Sequence, residues 1–116
     1  MDINQLTDQL VQVAEDKKAT SIKWLNVTEL TALADYFVLM NAGNKKHAQA
    51  IADAITEKMK EAGVALLREN GYREGAWILQ DFGDVIVHIF TPAEREFYDL
   101  DSMWGDAEIE KEVTGE

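Results

Sequence analysis

Ile3, Leu6, Leu10, Val13 and Ala14 recur three or four residues apart. That spacing places one apolar stripe on a helix over about Asn4–Lys17. Asp2 or Asn4 is placed to cap its start, and Lys17 and Lys18 sit where cations favour a helix end. Ser21–Thr28 reads as a strand carrying Ile22, Trp24, Leu25 and Val27, with the alternation lapsing at Trp24-Leu25. A connector follows over Thr28–Asp35, with Leu30 and Leu33 expected to tuck inward. The run Asp35-Tyr36-Phe37-Val38-Leu39-Met40-Asn41 is apolar without interruption, as in a central strand buried on both faces.

Ala42-Gly43-Asn44 turns the chain into a second helix. Asn44 is its N-cap, Ala48, Ile51, Ala52, Ile55 and Met59 are its buried stripe, and Gly63 stops it. Val64–Arg68 is predicted as a short strand, and residues 69–75 as a polar loop with two glycines. Ala76–Gln80 and Val85–Phe90 form a strand pair around the turn Asp81-Phe82-Gly83-Asp84. Thr91, Pro92 and Glu94 spell a capping box for a helix over Pro92–Tyr98. The order α β β α β β β α predicts an α/β fold: a mixed β-sheet of about five strands flanked by helices. Phe90 and Phe97 are expected to be buried. Trp104 lies in a sparsely apolar segment, which marks it for a partner.

Composition narrows this picture. The 116 residues, 47% of them hydrophobic, suit one domain with one core, assigned to residues 1–107, followed by an acidic flexible tail over 108–116. Asp and Glu number 22 against 11 Lys and Arg, a net charge of -11. Phosphate repels such a chain at long range, so no direct specific binding of nucleic acid is expected and a basic protein surface suits it better. Nine acids and two bases lie between Glu94 and Glu116, which concentrates the negative charge there. The chain has no cysteine, so disulfides and thiolate metal sites are excluded. No apolar run approaches a membrane span and the first residues do not read as a signal peptide, so a cytoplasmic protein is expected.

Candidate chemistry is sparse. His47 and His88 are the only histidines, and neither has a second histidine at metal-ligand spacing. His88 lies inside an apolar strand, where a satisfied core residue is expected. The positions two and four after Asp84 are Ile86 and His88, so the carboxylate pair of a two-metal transferase is missing. No catalytic residue, metal or cofactor is assigned. Asp35 at a strand start bonds backbone N–H groups, or else Asp35 or Asp84 serves, with magnesium, a divergent nucleotidyltransferase. Lys45, Lys46 and His47 make the second helix start cationic, where an anion site competes with a plain exposed helix start. Aromatics among carboxylates describe an interface with apolar anchors and a charged rim. The partner-binding set is Trp77, Tyr98, Leu100 and Trp104 as anchors, with Asp81, Asp84, Glu94, Glu96 and Asp99 facing basic residues. A general acidic adaptor is the alternative binding reading.

The sequence also resembles the ribosomal silencing factor (Iojap-like) family. The likeness rests on Ala34-Asp35-Tyr36-Phe37-Val38-Leu39, on His47 with Ala50-Ile51-Ala52, and on Trp77 with Asp81. It continues through Gly83-Asp84-Val85-Ile86-Val87-His88-Ile89-Phe90 and through Arg95 with Tyr98-Asp99-Leu100 and Trp104, and it spans roughly residues 3–107. Asn70-Gly71 stands where Glu-Gly is usual, Met103 where leucine is common, and Asn44 where Ser or Thr is usual. The resemblance implies a nucleotidyltransferase-like fold without transferase activity. It implies binding to the fourteenth protein of the large ribosomal subunit, on the face that meets the small subunit. Steric block of subunit joining, silencing of translation when nutrients are short, and a homodimer are implied with it.

Overall fold

The computed structural model describes residues 2–114. Helix α1 (Ile3–Asp16) leads into strands β1 (Thr20–Asn26) and β2 (Tyr36–Asn41). Helix α2 (Lys45–Glu61) precedes β3 (Arg68–Asn70), β4 (Trp77–Asp81) and β5 (Val85–Phe90). The short helices α3 (Pro92–Tyr98) and α4 (Leu100–Met103) and a last strand, β6 (Glu108–Val113), complete the chain.

The sheet has six strands in the order β3-β4-β5-β2-β1-β6. Only β2 and β5 run parallel, with Tyr36 opposite Val85 and Asn41 opposite Phe90. These two are the central strands and the most apolar, as burial on both faces requires. The architecture is thus the expected mixed α/β sheet, with one strand more than expected.

That strand corrects the reading of residues 108–116 as a flexible tail. Glu108–Val113 pairs antiparallel with β1, Ile22 opposite Val113 and Leu25 opposite Ile109. Lys111 turns toward α1, within 3.5 Å of Glu15 and 4.0 Å of Asp8. The remaining acids suit a strand at a sheet edge, where charge discourages pairing with another chain. Gly115 and Glu116 lie outside the described residues.

Both long helices pack on one face. Asp2 caps α1 in a reciprocal box with Gln5, at 2.8 and 3.0 Å. Asn44 caps α2 by accepting from the His47 N–H at 2.9 Å, and Gly63 ends the helix at φ +85°. Leu10, Val11, Ile51, Ile55 and Met59 press on Ile22, Trp24, Val38, Met40, Ile78, Val87 and Ile89, all buried. The opposite face carries a smaller cluster: Leu25, Val27, Ala34, Phe37, Leu39, Ile86, Phe90 and Leu100.

Several local expectations change. β3 begins at Arg68 rather than Val64, because only Arg68–Asn70 finds ladder partners in Leu79–Asp81. Leu30 and Leu33 are 44% and 72% exposed, since Val27 and Ala34 plug the core beside them instead. Phe90 is buried as expected, but Phe97 is 78% exposed and α3 buries no residue. Thr91 makes no side-chain cap, so Pro92 and Glu94 mark the helix start without closing a capping box.

Candidate functional site: an open aromatic face

On the second face the sheet lacks a helix layer. Strand alternation sends Trp77, Leu79 and Asp81 of β4 to this side, beside Ile86, His88 and Phe90 of β5 and Phe37 and Leu39 of β2. The tight turn after Phe90 then swings α3 and α4 over one end. An apolar groove of about 260 Å³ remains on this face, lined by Trp77, Trp104, Leu100 and Phe37 together with Leu33 and Arg68.

Trp77 is the hub. Its ring stacks on Phe90 at 5.1 Å and meets Tyr98 at 4.7 Å, and Tyr98 in turn meets the exposed Phe97 at 5.0 Å. Its indole N–H donates to His88 Nδ1 at 3.1 Å. That bond leaves the imidazole proton on Nε2, which is buried and finds no acceptor among the described residues. His88 is therefore a core residue, as expected, but only half satisfied. Burial pulls its pKa down to about 4, so the ring is neutral at pH 7. Trp104, half-buried, leans edge-on against Phe37 at 4.8 Å.

Arg95 fixes the segment that carries Tyr98, Leu100 and Trp104. Its guanidinium donates to both carboxylate oxygens of Asp101, at 3.1 and 2.9 Å, to Asn41 Oδ1 at 3.1 Å and to the Ser21 carbonyl. Lys23 adds a second cation 3.2 Å from Asp101. The Arg95 hydrogen bonds, with help from Lys23, hold the Asp101 carboxyl down to about 2. This clamp ties α3 and α4 to the ends of β1 and β2. Between the helices the chain reverses through Asp99 at φ +47°, whose carboxylate accepts from the Ser102 N–H at 3.4 Å.

The anchors named from sequence thus meet in one place. Trp77, Tyr98 and Trp104 line the open face, and Leu100 forms part of its wall while only 9% exposed. The acids divide into two groups. Asp81 and Asp84 flank the β4–β5 turn at the start of β5, while Glu94, Glu96 and Asp99 lie on and just after α3, beyond its end. Six strand residues separate the groups, a rise of about 17 Å. Asp81 is not free: it accepts from Gly83 N–H at 2.8 Å and pairs with Arg68 at 2.9 Å. Asp35 is joined to Asp84 by its backbone, its N–H donating to the Asp84 carbonyl at 2.8 Å, and among the described residues its side chain takes no backbone N–H, against the expectation. Among the described residues no group of three His, Asp or Glu side chains could hold a metal ion, and no helix is long and apolar enough to cross a membrane.

Sequence reasoning missed the organising role of Arg95, whose partners Ser21 and Asn41 lie 74 and 54 residues away. The only local signal was Asp101, six residues on.

Known proteins resemble this chain over most of its length. The model of the family described as "Ribosomal silencing factor during starvation" matches residues 1–116. The chain is 36% identical to Ribosomal silencing factor RsfS of Halalkalibacterium halodurans over 107 residues, 92% of each chain. It is 38% identical to Ribosomal silencing factor RsfS of Bacillus subtilis over 95 residues, 82% of this chain and 80% of that one. A crystal structure of a Chromobacterium violaceum protein superposes with a TM-score of 0.88 at 33% identity, covering 90% of this chain and 88% of the other.

Proposed function

Since the chain belongs to the ribosomal silencing factor family, we propose that its open aromatic face docks on the fourteenth protein of the large ribosomal subunit. Seated on the intersubunit side in the cytoplasm, the domain then blocks joining of the small subunit sterically and represses translation when nutrients are limited. The observation that carries this reading is the contrast between the sheet's two faces. One is sealed by two helices, while the other leaves Trp77 and Trp104 lining an apolar groove, with Tyr98 packed against Trp77 beside it. Aromatic anchors in a desolvating pocket supply most binding energy at protein interfaces, and rim charges steer association with a basic partner.

In this reading Trp77, Tyr98, Leu100 and Trp104 make the apolar contacts. Asp81, Asp84, Glu94, Glu96 and Asp99 face basic groups, with Asp81 exchanging or sharing its Arg68 partner. The exposed Phe97 and Met103 beside them also favour a homodimer; light scattering of the purified protein measures it. The docking itself is tested by co-sedimentation with large subunits, comparing wild type with Trp77→Ala. Loss of the variant from the subunit fraction is expected. Equal recovery of the two would remove Trp77 from the interface.

A further inference from the structure

The fold gathers cations that are scattered in sequence. The His47 ring bridges two segments: Nδ1 accepts from the Gly43 N–H at 2.8 Å, and Nε2 bonds the Lys17 carbonyl at 2.6 Å. The end of α1, with Lys17 and Lys18, is thereby held against the start of α2, with Lys45 and Lys46. The loop before β4 closes on the same place. Gly75, at φ +70°, lies so near Lys45 that an added Cβ would stand 2.4 Å from its Cγ, and Gln49 ties the loop down through the Tyr72 carbonyl at 2.7 Å. Arg73 rides on this loop.

Five of the chain's eleven Lys and Arg therefore share one corner. All five are exposed, and among the described residues none forms an ion pair. The acids in and against these segments are Asp16, Glu74, Asp53, which accepts from the Tyr72 hydroxyl at 3.0 Å, and Glu69, so the five cations still outnumber them in a chain of net charge -11. The start of α2 adds its dipole. Charges more than about 8 Å away are screened at physiological salt, so the corner meets a ligand with its own sign rather than the chain's. It also sits beside the docking segment. α2 begins just past Asn41, α3 just past Phe90, and these residues are register partners at the same end of the two parallel strands.

We propose that this corner binds the phosphate backbone of large-subunit RNA while the aromatic face holds the protein, a sequence-independent contact that rests on the ribosomal reading above. A surface made of RNA and basic protein is the one partner that offers phosphates beside a target for an acidic face. The test measures binding of the full chain to large subunits from about 50 to about 300 mM salt, and in parallel to the isolated fourteenth protein. The variant is Lys17→Gln/Lys18→Gln/Lys45→Gln/Lys46→Gln, and Lys58→Gln/Lys60→Gln controls for loss of charge elsewhere. On the subunit, the corner variant should bind about tenfold more weakly near physiological salt, with a log–log salt slope shallower by about two to four. On the isolated protein it should match wild type, as should the control variant on both partners. An unchanged slope on the subunit, or an equal loss on the isolated protein, overturns the phosphate contact. If Trp77→Ala releases the subunit while the corner variant does not, only the corner proposal falls. If wild type binds neither partner, the docking reading falls and the corner proposal with it.

Discussion

The two faces of the sheet are built from the same six strands but finished differently. On one, α1 and α2 contribute Leu10, Val11, Ile51, Ile55 and Met59, each at most 1% exposed, and nothing large is left over. On the other, two helices of 7 and 4 residues bury only Leu100 between them. A helix seals a sheet when its apolar stripe is long enough to span several strands; α3 is too short and its largest apolar side chain faces solvent. The first face supplies stability. The second keeps apolar area in reserve, held in shape by hydrogen bonds and an ion pair instead of a full core.

This contrast can be broken most sharply on the sealed side. Ile51→Ala leaves a cavity in a region that cannot collapse onto solvent, and should cost about 3 kcal/mol in a denaturant melt. The folded fraction should still bind large subunits normally. Acid probes the open side. His88 has a folded pKa near 4, below its ordinary value of 6.5, so the unfolded chain binds more protons between those pH values. Stability should therefore fall as pH drops from 6.5 toward 4, by as much as about 3 kcal/mol, and level off below. His88→Gln should flatten that portion of the stability–pH curve. Asp101, held low by Arg95, adds a separate loss of the same sign at more acid pH, between about 4 and about 2.

Trp77→Ala should cost about 2 kcal/mol or more in subunit affinity, with a smaller change in melting temperature than Ile51→Ala. Arg95→Ala should weaken binding by about 1 to 2 kcal/mol although Arg95 lies off the groove, because the clamp on Tyr98 and Trp104 is lost. Arg95→Lys should restore only part, since one ammonium cannot reproduce the two-point bond to Asp101. Glu96→Lys on the exposed side of α3 should change affinity least, a few-fold through slower association at low salt.

How much of this was legible beforehand follows from which forces are local. The stripes of α1 and α2 and the unbroken runs of β2 and β5 are written in residue spacing, so those elements stand where expected. The proposed anchors Trp77, Tyr98, Leu100 and Trp104 could be named as aromatics and leucine among acids near a strand end, and the fold brings them to one face. Exposure was not. Leu33 and Phe97 carry the same side chains as core residues, and only the absence of a covering element leaves them in solvent. β6 escaped notice because an edge strand needs few apolar residues, and Glu-Ile-Glu-Lys-Glu-Val reads as a solvated run until Lys111 finds Glu15. The Arg95 clamp and the basic corner join segments far apart in sequence, which no short window contains.

The pairing of β1 with β6 also sets the order in which the protein can be finished. Asn26 must wait for Glu108, and Ile22 for Val113, so that edge of β1 stays unpaired until residues 108–113 have been made. The loop closed by that pairing spans most of the domain, and contacts of such long range form late. A chain in which residues 108–113 have not yet paired therefore carries an open β1 edge.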